Sequence, residues 1–247
     1  MQDLNGKVAL VTGAAKRLGR ETALALAQRG ASIVIHYRSS EAQAQIVYDR
    51  VRSTGVDAWI IKADLSDLGQ SEDLFSVAAK SAGGIDILIN SASIFPNGTL
   101  FELDEGAYID NLKVNALAPL RLSTLFASQK NGGTIINLLD TRMLDYDKNH
   151  VPYHLSKHAL FLFTRMLSVE LAPDIRVNAV APGLILPPEG KDLKYLRELS
   201  HTNPLHRWGS AKDITDAILY LIGARFVTGQ ILYVDGGRHI KGRVYGS

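Results

Sequence analysis

The chain contains no cysteine. Disulfides, thiolate metal sites and cysteine nucleophiles are therefore excluded, and the absence fits a reducing compartment. Charge of one sign is lacking too: 27 Lys and Arg stand against 25 Asp and Glu, a formal +2 mixed along 247 residues. Such a balance provides no long-range field for gripping nucleic acid or an anionic membrane. No run approaches the ~20 apolar residues of a membrane span. The opening Met1-Gln2-Asp3-Leu4-Asn5-Gly6-Lys7 has no apolar signal region. These absences create the expectation of a cytoplasmic protein that takes neither nucleic acid nor membrane as a partner.

What is present is ordinary globular material, 46% hydrophobic and 21% charged, enough to bury one full α/β core. Short runs rich in β-branched residues at 8–12, 32–36, 58–61, 85–90, 134–139, 176–181 and 230–234 read as strands. They alternate with stretches of helical period at 18–29, 40–54, 71–81, 105–130, 152–171 and 212–222. That alternation predicts a single Rossmann-type doubly wound α/β domain over 1–247, a seven-stranded parallel sheet flanked by six helices. Right-handed crossovers place a switch point after the first strand, so ligands are expected at the carboxyl ends of the strands. The one long irregular stretch, about 183–207 with Pro187, Pro188 and Pro204, reads as a mobile substrate-binding lid.

The first strand runs into Thr12-Gly13-Ala14-Ala15-Lys16-Arg17-Leu18-Gly19-Arg20. Gly13 permits a tight turn and Gly19 a close helix–strand approach, while the helix start aims free N–H groups at a pyrophosphate. A purely structural turn uses the same residues. Arg17 places a guanidinium with five donors beside the expected phosphates, unless it is a solvated surface arginine. The second strand ends in His36-Tyr37-Arg38-Ser39-Ser40 without the acidic residue that would bind ribose hydroxyls. Arg38 and the serines instead suit a 2′-phosphate, which favours NADPH over NADH, though a serine here can equally cap the next helix. Asp64 and Asn90-Ser91-Ala92-Ser93 stand at further strand ends along the same crevice, where simple turn chemistry is the other reading.

Tyr153 and Lys157 are four residues apart on a predicted helix, so their side chains share a face. An adjacent ammonium is expected to lower the tyrosine's pKa and make it a usable proton donor and acceptor. Asp140 precedes Tyr153 by thirteen residues, at the end of the fifth strand. Asn115 can hold a water behind Lys157 through its amide or a loosened backbone, or it is a satisfied buried helix asparagine.

In order and spacing these motifs, from Thr12-Gly13 to Asp235-Gly236-Gly237, resemble the short-chain dehydrogenases/reductases over essentially the whole chain. The resemblance implies hydride transfer from a nicotinamide, with Tyr153 donating the proton, Lys157 binding the ribose and tuning Tyr153, and Asn115 supporting a proton relay. It also implies NADPH/NADP+ contacts from Gly13, Arg17, Leu18, Gly19, His36, Tyr37, Arg38 and Ser39. Further along, Asp64, Leu65, Asn90, Ser91, Ala92, Tyr153, Lys157, Pro182 and Gly183 complete the cofactor set.

Where most members have a catalytic serine, this chain has Asp140, and many have a glycine at the place of Arg17. The chain most resembles the pteridine reductases, including bacterial dihydromonapterin reductases that also reduce dihydrofolate. The residues carrying this are Arg17, His36-Tyr37-Arg38-Ser39, Ser91-Ala92-Ser93-Ile94-Phe95, and Asp140 with Tyr153 and Lys157. That branch implies that Phe95 stacks on the pterin and that Ser93 and Arg17 hydrogen-bond it. Phe95 as ordinary loop packing is the competing reading. Ser91 departs from the branch, which usually has a second asparagine there.

Elementary chemistry points the same way. An ionised aspartate repels a developing alkoxide, whereas reduction of a ring C=N bond needs a proton on nitrogen that an Asp140–Tyr153 pair can relay. Reduction of a ketone such as a 3-oxoacyl thioester, and a non-catalytic NADP(H)-binding sensor, are the alternatives. His154 and His158 have the i, i+4 spacing of metal ligands, but without a third ligand no metal site is expected. The 145–150 stretch reads as a polar loop over the active site. Arg238, His239, Lys241 and Arg243 make a basic end read as a solvated or subunit-contacting tail. Leu160, Phe161, Leu162 and Phe163 exceed what one core-facing stripe requires, which points to a subunit interface, and the resemblance implies a homotetramer.

Overall fold

The computed structural model describes residues 3–102, 104–188 and 190–241. Met1, Gln2, Leu103, Glu189 and 242–247 lie outside the described residues, and with them Arg243 of the basic end. Strands β1 (Val8–Val11), β2 (Ser32–Tyr37), β3 (Ala58–Lys62), β4 (Ile87–Asn90), β5 (Gly133–Leu138), β6 (Ile175–Pro182) and β7 (Ile231–Val234) form one sheet. Its order is β3-β2-β1-β4-β5-β6-β7, parallel throughout, with Ala9 opposite both Ile33 and Ile87. The order reverses between β1 and β4, the switch point expected of right-handed crossovers.

Both faces of the sheet are buried because successive side chains point to opposite sides and both sets are apolar. Ala9, Val11, Ile33 and Ile35 face one layer, in which α1 (Arg17–Ala27), α2 (Glu41–Arg52) and α8 (Ala211–Gly223) pack through Leu24, Val47 and Ile218. Leu10, Val34, Leu88 and Ile135 face the other, where α3 (Leu68–Ala82), α5 (Ala118–Ser128) and α6 (Val151–Glu170) contribute Phe75, Leu122, Phe126 and Leu167.

The structure corrects the predicted helices in two places. The expected long helix over 105–130 is helical without interruption from Glu105 to Ser128, but within it α4 (Glu105–Leu112) passes into α5 through a π-helical turn at Lys113–Leu117. Pro119, which has no N–H to give the preceding turn, stands just after the π turn at the start of α5. The 183–207 stretch is not irregular throughout. It contains α7 (Leu193–Leu199), capped by the Asp192 carboxylate on the Lys194 N–H, and a 3-10 turn at Ser200–Thr202. With the short α9 (Arg238–Lys241), nine α-helical segments occur among the described residues rather than six. Of the four apolar residues singled out on α6, Leu160 is buried and Phe161 and Phe163 pack against core clusters. The exposed apolar side of α6 is instead Leu155, Leu162, Met166 and Val169. No helix among the described residues is long and apolar enough to cross a membrane.

Candidate active site

The turn after β1 is built for close approach. Gly13 has φ +65°, and a Cβ there would come within 2.9 Å of the Ala92 backbone; a Cβ on Gly19 would collide with the Gly13 carbonyl oxygen. Thr12, quoted above only as part of the motif, clamps β1 to the end of β4. Its hydroxyl oxygen accepts from the Ser91 and Ala92 N–H groups at 2.9 and 3.0 Å. Arg17 lies in the left-handed region at φ +52°, a conformation that glycine adopts more readily than any residue with a Cβ. Arg17 is exposed, and its Nη2 donates to the Pro187 carbonyl at 2.9 Å, linking the turn to the 183–207 segment.

His36 lies beneath this turn. It is buried, its Nδ1 accepts from the Gly13 N–H at 3.1 Å, and Nε2 lies 3.1 Å from the Ala63 carbonyl. An N–H donor on one side and a carbonyl on the other select the neutral tautomer protonated at Nε2. Burial pushes its pKa down to about 4, with Ala63 and Asp64 opposing. Its side chain thus braces the glycine turn from below. Tyr37 is also buried, while Arg38 and Ser39 are exposed. The Ser40 side chain makes no capping bond to α2, contrary to the capping reading. Hydrogen bonds from the Ser66 backbone and hydroxyl hold Asp64 below its ordinary pKa, with Arg38 adding to the effect. Leu65 is buried. Asn90 lies in the core, its amide on Asn137, which itself donates to Thr164. Pro182 ends β6 and the Gly183 N–H pairs with Val234.

Across the crevice the Tyr153 hydroxyl donates to Asp140 Oδ2 at 2.8 Å. Asp140 Oδ1 accepts from the Arg142 N–H at 2.8 Å, capping a 3-10 turn at Thr141–Leu144. Tyr153 is buried, and burial together with the Asp140 carboxylate raises its pKa well above the ordinary phenol value. This reverses the expected lowering by Lys157. The ammonium lies 5.6 Å from the Tyr153 ring centroid and donates to the Leu138 carbonyl at 2.7 Å, so the closer carboxylate outweighs it. Burial lowers Lys157 to about 8, opposed by Asp140.

Asn115 sits in the π turn, but its side chain is committed. Oδ1 accepts from the Ile94 N–H, and Nδ2 lies within hydrogen-bonding distance of Ile94 O, Asn111 Oδ1 and Ser156 Oγ at 3.0–3.2 Å. The amide therefore anchors the loop carrying Ser93 and Phe95. The loosened π-turn backbone is the part of the expectation that remains.

Phe95 is at the rim, 37% exposed. The His150 ring stacks on it at 3.9 Å and 12°, Tyr153 meets it edge-on at 4.6 Å, and the Arg142 guanidinium carbon lies 5.2 Å from its centroid. Ser93 beside it is exposed. Arg142 donates to Asp147 Oδ2 at 2.8 Å and to the Tyr195 hydroxyl at 3.2 Å. Burial raises the Asp147 pKa, but bonds to His150 and the Asn149 N–H, with Arg142, more than offset it, so the net shift is downward. His150 also lines a cavity of about 490 Å³ with Asn97, Thr99, Glu102 and Tyr108. Sequence reasoning missed Arg142, although it stands two places after Asp140, and Tyr195, which carried no signal at all. His154 and His158 lie with rings 4.5 Å apart, and His158 Nδ1 is bonded to the His154 carbonyl.

A parallel sheet with a glycine turn at its switch point, facing a Tyr–Lys pair one helical turn apart, defines a short-chain dehydrogenase/reductase. The family model described as enoyl-(acyl carrier protein) reductase matches residues 13–239, and the chain belongs to this oxidoreductase family. It is 34% identical over 230 residues to an uncharacterized oxidoreductase of Methylorubrum extorquens, covering 90% of this chain and 92% of that one. It is 30% identical over 221 residues to the 3-oxoacyl-[acyl-carrier-protein] reductase FabG of Staphylococcus aureus, covering 87% and 90%. Among solved structures it resembles FolM alternative dihydrofolate reductase 1 from Brucella canis complexed with NADP. That match has a TM-score of 0.91 and 30% identity, covering 99% of this chain and 97% of that one.

Proposed function

We propose that the protein is an NADPH-dependent pteridine reductase that converts 7,8-dihydropterins of the dihydromonapterin or dihydrobiopterin type, with dihydrofolate as a further substrate, to tetrahydro forms. The observation that carries this reading is the 2.8 Å bond from Tyr153 to Asp140 at the place where most family members have a serine. The resemblance to a FolM structure complexed with NADP supports both substrate class and cofactor.

The crevice fits the dinucleotide. Gly13, where a side chain would collide with the Ala92 backbone, keeps the turn before α1 tight, so that N–H groups at the start of that helix would face a pyrophosphate, and the exposed Arg38 and Ser39 would supply donors for a 2′-phosphate. Pro182 and Gly183 would line its nicotinamide end, and Lys157 would hold the ribose. The cofactor, when bound, supplies the hydride to the ring carbon of a C=N bond. The protein's part is the proton. Tyr153, kept protonated by burial and its neighbour, is a donor, and Asp140 is the acceptor through which a proton from water refills it. Phe95 offers a flat partner for the heterocycle, offset stacking contributing about 0.5–1.5 kcal/mol beyond area burial. His150 occupies one stacking position on Phe95 here. Ser93 and Arg17 then hydrogen-bond the pterin's polar edge, which requires Arg17 to share or exchange its Pro187 partner.

Similarity to FabG favours a second reading, reduction of a 3-oxoacyl thioester or another ketone. The carboxylate beside Tyr153 opposes it, because a negative charge there repels the developing alkoxide. The deciding experiment is a steady-state panel of oxidised pterins, dihydropterins, dihydrofolate and ketones with NADPH. Turnover of dihydropterins is expected. Turnover of ketones alone would replace the first reading by the second, and no turnover of either would return the protein to an NADP(H)-binding role.

A further inference from the structure

Four side chains form a closed ring of contacts at the mouth of the site. Arg142 bonds Asp147, Asp147 bonds His150 at 3.2 Å, His150 stacks on Phe95, and Phe95 lies under the Arg142 guanidinium. The ring is set in place at one corner, since the Arg142 backbone N–H holds Asp140 Oδ1. It reaches the 183–207 segment at another, through the bond from Arg142 Nη2 to the Tyr195 hydroxyl of α7. The Arg142 and Asp147 side chains are 23% and 19% exposed, whereas the Lys212–Asp216 pair on α8 is 79% and 55% exposed. A partly desolvated pair of this kind retains strength that a solvated one loses to screening. Serving Asp147 and Tyr195 together requires a planar fork; a lysine's point charge can do one or the other.

We infer that Arg142 is a specificity-determining positioning residue, which sets the plane of Phe95 and latches α7 over the substrate's place through Tyr195. It touches none of the nucleotide turn, so its effect falls on substrate and not on cofactor. The inference rests on the pterin reading for the identity of the substrate, but not for the latch itself.

The test uses the full chain with NADPH and 7,8-dihydrobiopterin. Arg142→Ala is expected to raise KM about tenfold, the size of one charge-assisted hydrogen bond, with NADPH affinity unchanged. Tyr195→Phe should raise KM by less, and the double variant should be no worse than Arg142→Ala alone, because both break one latch. Arg142→Lys, which keeps the charge without the fork, should fall between wild type and Arg142→Ala. An unchanged KM in Arg142→Ala, or single effects that multiply in the double variant, would overturn the inference. Should Arg142→Ala fail to fold, the cycle is run with Arg142→Lys and Tyr195→Phe under the same criteria. Should the wild type oxidise no NADPH with any dihydropterin, the function reading fails by itself. The latch is then judged by hydrogen exchange of the α7 amides in the NADP+ complex: faster exchange in Tyr195→Phe and Arg142→Lys supports it, and unchanged exchange removes it.

Discussion

The Tyr153 hydroxyl and Asp140 Oδ2 lie 2.8 Å apart, a donor buried in α6 and an acceptor that caps the 3-10 turn after β5. The carboxylate's other oxygen is held by the Arg142 N–H, so its orientation is set by backbone and not by a mobile partner. Asp140→Ala is therefore expected to lower dihydropterin turnover about 10²-fold or more, the usual contribution of a positioned acid–base group, while leaving the NADPH dissociation constant unchanged. Asp140→Ser should shift the ratio of ketone to pterin turnover upward. Undiminished pterin turnover in Asp140→Ala would refute the role.

Arg38 is exposed at the end of β2, where no acidic side chain precedes α2. Arg38→Asp is expected to shift preference from NADPH toward NADH, because the charge reversal repels a 2′-phosphate and offers an acceptor to ribose hydroxyls. The measurement is the ratio of kcat/KM for the two cofactors. An unaltered ratio would count against the 2′-phosphate assignment.

His36 titrates at about 4 in the fold against an ordinary 6.5, so between those values the unfolded chain binds more protons than the native one. Stability then rises with pH across that window and is lost as pH falls through it. It amounts to about 2 kcal/mol between pH 7 and pH 5 by linkage. Urea unfolding at the two pH values measures it. His36→Asn, whose amide oxygen can still accept from Gly13, should lose that increment, and an equal pH dependence in wild type and variant would remove the assignment.

Arg17 holds a left-handed backbone conformation that costs a non-glycine residue on the order of 1 kcal/mol. Arg17→Gly relieves it, so thermal stability should be unchanged or slightly higher, while the lost guanidinium raises KM for the pterin. A stability loss with unchanged KM would mean that the Pro187 bond is purely structural.

Leu155, Leu162, Met166 and Val169 leave one side of α6 apolar and exposed, the kind of patch that an interface would cover. We expect a homotetramer using this face. Light scattering at micromolar concentration should show four chains, with Met166→Glu reducing the mass; a wild-type monomer would remove the expectation.

Much of this architecture was readable from the chain because its signals are local. Strand after strand is apolar on both faces, which only a doubly covered parallel sheet accommodates, and the switch point follows from crossover handedness. The glycine turn, the Tyr153–Lys157 spacing and the place of Asp140 are equally local. The π turn was missed because the chain stays helical on both sides of it and no residue type marks the place. Helix α7 was hidden among prolines and polar residues.

The sequence alone thus determined the fold class, the cofactor crevice and the presence of Tyr153 and Lys157, because each depends on residue type and short spacing. Only the tertiary structure decided how those residues behave. It showed that Tyr153 answers to burial and Asp140 before Lys157, that Asn115 spends its amide on Ile94, Asn111 and Ser156, and that His36 braces the turn from below. Protonation and hydrogen bonding depend on which groups meet within a few ångströms and how much water is excluded. Such distances arise where the turn after β1 meets β2, where the π turn meets α6 and the loop after β4, and where the turn after β5 meets α6, and no spacing in the sequence encodes them.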